Sequence, residues 1–179
     1  MESIEFKHKE LSEKIIKAFF TVYNSLGYGF LERVYRNTMV IALERMGLKV
    51  LPESKITVYY QGQIVGEYFA DLLVEDTVVV ELKATSAITE DHKAQLLNYL
   101  KATTYEVGLL FNFGPKPEIS RKAYDNARKG SLKWLTIDSN PENPYHPEIC
   151  VRKVFPKPNP VNPDYPENLR PKGFPKPQP

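Results

Sequence analysis

Asp71, Glu81 and Lys83 are the residues of this chain whose types and spacing could do chemistry. Glu81 and Lys83 sit two apart in Val78-Val79-Val80-Glu81-Leu82-Lys83-Ala84, a mostly apolar segment that reads as a strand, so alternation projects both charges from one face. A polar turn, Glu75-Asp76-Thr77, separates it from an earlier strand, and a turn centred on Asp76 sets Asp71 directly across from Glu81. Opposed carboxylates destabilise a sheet unless a cation compensates them, and a hard divalent ion with oxygen ligands is the natural candidate. Magnesium wants near-octahedral oxygen coordination and keeps several waters. Asp71, Glu81 and the Leu82 carbonyl would then leave room for a phosphate oxygen and a nucleophilic water. Lys83 would orient that water or neutralise charge building up on the phosphate. These are the parts of a metal-dependent phosphodiesterase site; the plainer reading is a surface strand end with a same-face charge pair.

The surrounding sequence supplies elements able to position these groups. Leu11, Ile15, Phe19, Val22, Tyr23 and Leu26 recur at helical spacing from about Glu10 to Leu26 and stop at Gly27. After Gly27-Tyr28-Gly29 a second helix is predicted to about Met46, with Leu31, Val34, Tyr35, Thr38, Ile41 and Ala42 on its apolar stripe and Glu32 beside it. The texture then turns β-branched and aromatic. Lys55 to Tyr60, a Gln61-Gly62-Gln63 turn, Ile64 to Val74, the polar turn, and Thr77 to Ala84 make a three-stranded meander. Helical spacing returns from Glu90 to Thr103, with Ala94, Leu97 and Leu100 as buried candidates, before a fully apolar strand at Val107 to Phe113. The fold class this implies is α/β, a mixed central sheet made of an antiparallel meander plus a crossover strand, flanked by helices. Glu118 to Tyr124 and Leu132 to Ile137 are candidate edge strands.

Composition bounds the rest. The 179 residues suit one domain with an extension, and the boundary is placed near residue 138 (1–138 and 139–179). Residues 141–179 hold 12 of the 15 prolines, which predicts a polyproline or disordered tail, either a solvated extension or a segment for a protein partner. Charge is uneven: 12 Lys/Arg against 15 Asp/Glu through residue 114 (−3), then 12 against 7 (+5), a lean that would suit a polyanion. The single Cys150 excludes an intramolecular disulfide framework and argues against zinc; neither it nor His146, among prolines, carries a nucleophile pattern. The charged start and the lack of a long apolar run point to a soluble, cytoplasmic protein without a membrane partner.

The Asp71 … Glu81-Leu82-Lys83 pattern resembles the PD-(D/E)XK nuclease superfamily, and Gly29-Phe30-Leu31-Glu32-Arg33-Val34-Tyr35 matches the motif of its GxxExxY branch. The likeness runs over about residues 10–128. It takes in Val65-Gly66-Glu67-Tyr68-x-x-Asp71, His92-x-x-Gln95-Leu96-Leu97-Asn98-Tyr99-Leu100 and Gly108-Leu109-Leu110-x-Asn112-Phe113-Gly114, in the expected order. Ala70 stands where the superfamily name has proline. The resemblance implies a restriction-endonuclease-like core, Asp71 and Glu81 as metal-binding acids, Lys83 as the catalytic lysine, Glu32 as a helix-borne acid approaching the metal, and Gln95 near the scissile phosphate. His92 and Tyr99 share the helix face of Gln95 and would line the same cleft. Each has a bland alternative: Glu32 an ion pair with Arg36 four residues on, His92 a helix-face hydrogen bond, Tyr35 a core ring. The function so implied is phosphodiester hydrolysis, most naturally of DNA, with Mg2+ or Mn2+, and a homodimer would let two sites cut both strands; the alternative is a catalytically silent nucleic-acid-binding or assembly module.

Overall fold

The computed structural model describes residues 7–61, 63–130 and 132, and its elements follow the changes of texture along the sequence. Helix α1 (Lys9–Leu26) ends where Gly27 takes φ 67° and donates its amide to the Tyr23 carbonyl, a left-handed stop that glycine adopts without strain. Helix α2 spans Glu32–Arg45. Strands β1 (Val50–Tyr60), β2 (Gln63–Val74) and β3 (Val78–Lys83) follow, then α3 (Glu90–Ala102), β4 (Val107–Asn112), β5 (Glu118–Ala123) and a 3₁₀ turn at Asn126–Arg128. β1 starts at Val50 rather than at Lys55, since this edge strand accommodates Pro52 while pairing with the end of β2.

The sheet runs in the order β1-β2-β3-β4-β5, antiparallel throughout except that β3 and β4 are parallel on either side of the α3 crossover. It is the mixed α/β sheet with flanking helices that the sequence predicts. Alternation along β3 divides the core. Val78, Val80 and Leu82 pack with Ile15, Phe19, Tyr35, Met39 and Leu43 of α1 and α2, whereas Val79 joins Leu96, Tyr99 and Leu100 of α3 on the opposite face.

Two predicted stripes are rotated. On α2 the buried side chains are Tyr35, Met39 and Leu43, while Leu31, Val34 and Ile41 are exposed. Leu31 caps the helix from outside it, and the i, i+4, i+8 row that includes Tyr35 is the one that meets the sheet. On α3 the buried residues are Leu96, Tyr99 and Leu100, with Ala94 exposed and Leu97 half-buried. Gly108 on β4 selects that face, because any Cβ there would overlap the Leu96 side chain.

β2 pairs with β3 only from Leu72 to Val74, so from Gln63 to Asp71 β1 is its one strand partner among the described residues, with Tyr99 of α3 holding the Phe69 carbonyl. This two-stranded arm exposes Tyr60, Ile64, Val65, Tyr68 and Phe69. Among the described residues no helix is long and apolar enough to cross a membrane. Gly62 of the expected turn, all but Leu132 of the second candidate edge strand, the boundary near 138 and the segment 139–179 with His146 and Cys150 lie outside the described residues.

The loop after β3 is clamped. The Thr85 amide donates to Asn112 Oδ1 at 3.0 Å, and Asn112 Nδ2 donates back to the Thr85 carbonyl at 3.0 Å. A Cβ at Gly114 would fall on that carbonyl oxygen. Gly114→Ala is therefore expected to lower the free energy of unfolding in urea by about 2 kcal/mol. Gly66→Ala, where a Cβ meets only ordinary van der Waals contacts, should leave the urea midpoint close to wild type.

Candidate active site

The ladder between β2 and β3 stops one step short of Asp71: Val74 pairs with Val78, Leu73 with Val79 and Leu72 with Val80, so the next position brings Asp71 opposite Glu81. There the side chain takes over from the backbone. The Leu82 amide donates to Asp71 Oδ2 at 2.8 Å, which fixes the carboxylate against the strand that carries Glu81. Asp71 Oδ1 faces Arg36 Nη1 of α2 at 3.4 Å. Glu81 and Lys83 share the face opposite Leu82, and Lys83 Nζ donates to Glu81 Oε1 at 2.7 Å. Glu81 is only 3% exposed, and its second oxygen, Oε2, is buried without a hydrogen-bond partner among the described residues.

This crowding sets the electrostatics. Burial, then the neighbouring Asp71 charge, push the Glu81 carboxyl up to about 7 despite its bond to Lys83. Burial also raises Asp71, against the Leu82 amide and the charges of Lys83 and Arg36. For Lys83 burial acts downward, but the Glu81 hydrogen bond and the surrounding carboxylates outweigh it and hold the ammonium above its ordinary range. Lys83 pairs with Glu81 Oε1 and Arg36 with Asp71 Oδ1, which still leaves Glu81 Oε2 without a hydrogen-bond partner among the described residues. An orphaned acceptor beside a second acid is what a hard cation requires, so the residues fit a divalent metal, with Asp71, Glu81 and the Leu82 carbonyl as the available donors. Among the described residues no three His, Cys, Asp or Glu side chains gather closely enough to form a metal cluster unaided.

Glu32 reaches the site from the start of α2, where its Oε1 accepts the Ala84 amide at 3.2 Å, directly after Lys83. Its charge acts on Asp71, Glu81 and Lys83. The Gly29 … Tyr35 motif thereby acquires a mechanical reading. Gly29 holds φ 108° in the turn before the helix. The buried Tyr35 ring stacks on Phe113 at 4.1 Å, and its hydroxyl donates to the Gly27 carbonyl at 2.9 Å and accepts the Phe30 amide at 3.2 Å. Tyr35 is thus a core ring that ties down the loop delivering Glu32.

On α3, Gln95 Nε2 donates to the Tyr99 hydroxyl at 2.5 Å, and Tyr99 donates to the Phe69 carbonyl at 3.3 Å. Burial raises the Tyr99 hydroxyl, and the Glu81 and Asp71 charges add to that, so Gln95 and Tyr99 border the acid pair. His92 serves another purpose: its amide donates to Thr89 Oγ1 at 3.3 Å and its Nδ1 accepts the Thr89 amide at 3.2 Å, a capping box at the start of α3. Through Nδ1 the imidazole closes the helix. The suggested Glu32–Arg36 ion pair is replaced as well, because Arg36 binds Asp71 and Glu53 instead. Glu53 and Arg36 are site residues that the sequence reading missed. The i,i+4 spacing of Glu32 and Arg36 offered a local partner, and nothing in the sequence marks a contact between α2 and the edge strand.

A family model for the PD-(D/E)XK nuclease superfamily matches residues 9–122, well over half of the chain. No curated protein matches the sequence. Among solved structures, one described as the crystal structure of SSO0001 superposes with a TM-score of 0.42 at 17% sequence identity, covering 86% of this chain and 80% of that one.

The Glu81 shift has a measurable consequence. In the unfolded chain the carboxyl ionises near 4.5, whereas the native protein retains the proton to about 7. Between those values the native state binds the extra proton, so without divalent ions unfolding free energy should fall as pH rises through that window, at up to about 1.4 kcal/mol per pH unit. Glu81→Gln should flatten the slope, read from urea unfolding at a series of pH values.

Proposed function

The chain belongs to the PD-(D/E)XK nuclease superfamily, and from that membership we propose that it is a magnesium-dependent nuclease of the GxxExxY branch that hydrolyses phosphodiester bonds in DNA. The observation that carries this reading is the buried Oε2 of Glu81 beside Asp71, without a partner among the described residues, and with the Lys83 ammonium on the same side. Asp71, Glu81 and the Leu82 carbonyl would hold the ion, and Glu32 adds negative charge from α2. A bound divalent ion supplies charge neutralisation for the phosphate and lowers the pKa of a coordinated water.

The remaining roles fall to the chain's own groups. Lys83, kept protonated by Glu81, presents a fixed positive charge where negative charge develops on the phosphate. Gln95, anchored on Tyr99, offers its amide to a phosphate oxygen. The apolar floor of β3 and β4 keeps bulk water from beneath the acids and so strengthens these interactions.

Incubation with supercoiled, linear and single-stranded DNA in Mg2+ or Mn2+ tests this directly. Wild type should cleave at least one of them and stop on chelation with EDTA. Glu81→Ala and Lys83→Ala should each slow cleavage by at least about a hundredfold, the scale of removing one electrostatic contributor to such a site. Cleavage that both variants leave intact would refute the roles assigned here. Salt-sensitive binding of DNA without cleavage would favour a silent nuclease fold instead.

A further inference from the structure

The acids of the site extend one strand further than the superfamily pattern. Pro52 and Ser54 of β1 pair with Leu72 and Ala70 of β2, so Glu53 lies across from Asp71 just as Asp71 lies across from Glu81. Three neighbouring strands thus carry a row of carboxylates. Cations interleave it: Lys83 sits on Glu81, and the Arg36 guanidinium of α2 bridges the other two, with Nη2 3.0 Å from Glu53 Oε1 and Nη1 3.4 Å from Asp71 Oδ1. The two contacts are unequal, and the closer one is to Glu53. Glu53 itself has φ 51°, a left-handed conformation uncommon for a side chain of its size and held here opposite the acid of the site.

Asp71 has one oxygen committed to the Leu82 amide. Oδ1 is therefore the atom that both Arg36 and an arriving cation need. We propose that Arg36 is the resting counter-cation of Asp71, and that Glu53 is the acceptor that keeps hold of Arg36 when a divalent ion takes the acid pair. Together the two positioning residues set how readily the site accepts metal. The proposal rests on the reading of Asp71 and Glu81 as metal ligands. Its physical basis is that a fixed positive charge within a few ångströms of a divalent ion repels it unless its own counter-charge is close. Because Arg36 uses a separate nitrogen for each carboxylate, Nη1 can leave Asp71 while Nη2 keeps Glu53.

Calorimetric titration of Mn2+ into wild type, Glu53→Gln, Arg36→Met and the double variant reads the coupling without any need for turnover. Glu53→Gln should bind Mn2+ about tenfold more weakly, because Arg36 then rests on Asp71 alone; Arg36→Met should bind at least as tightly as wild type, and the double variant should behave like Arg36→Met. Arg36→Lys, which keeps the charge and most of the packing, should bind more weakly than Arg36→Met. Nitrogen NMR of the Arg36 guanidinium adds a second readout: Mg2+ should shift its signals while the slow exchange conferred by Glu53 persists. Unchanged affinity in Glu53→Gln, or the same loss with and without Arg36, overturns the proposal while the metal site stands. Wild type that takes up no Mn2+ overturns the metal reading itself.

Discussion

Two carboxylates held side by side, one of them shut away from water, form the constraint around which the rest of this molecule is arranged. Burying a carboxylate is costly, and burying it beside another multiplies the cost. Among the described residues, the Leu82 amide, the Arg36 guanidinium and the Lys83 ammonium cover three of the four oxygens, and Glu81 Oε2 is left without a partner. A fold selected for stability alone would place an apolar side chain there, as it does at Val79 on the same face. An acid pair with one oxygen left over is a feature that a divalent ion would complete. It agrees with the membership of the chain in a superfamily of nucleases that generally use divalent metals.

The neighbouring elements serve that constraint in different ways. β3 carries its charges on one face only because Val78, Val80 and Leu82 anchor the other face against α1 and α2. Asn112 and Gly114 fix the loop leaving β3, so the Lys83–Thr85 backbone cannot drift from Glu32. The Gly29 … Tyr35 motif is mostly an anchoring device. Of its named residues only Glu32 reaches toward the acids, and Tyr35 holds the loop from which Glu32 projects.

Much of this was legible in the sequence, for identifiable reasons. Period-two alternation and a short polar turn placed Asp71 opposite Glu81 and put Lys83 beside Glu81, since strand geometry leaves little freedom. The glycine stop at Gly27 and the meander likewise followed from local rules. Helix faces did not, because several rows of α2 and α3 carry apolar residues and only the sheet decides which row it meets. Helical spacing turns Leu31 and Ala94 inward, and they lie outward for that reason. The imidazole of His92 was spent on a cap three residues back, a competition that motif matching does not see. Arg36 and Glu53 are brought together by tertiary packing between a helix and an edge strand, a contact no local pattern encodes.

β2 is paired unequally along its length. From Gln63 to Asp71 this strand has one neighbour instead of two, so its amides are protected on one side only and it opens at a lower free energy than the centre of the sheet. The junction between the compliant segment and the rigid one falls just before Asp71, where Ala70 is buried against α3 and the Phe69 carbonyl accepts the Tyr99 hydroxyl. Fraying that begins at the hairpin tip therefore stops beside an acid of the candidate site, which ties the local unfolding of a surface ribbon to the geometry of the Asp71–Glu81 pair.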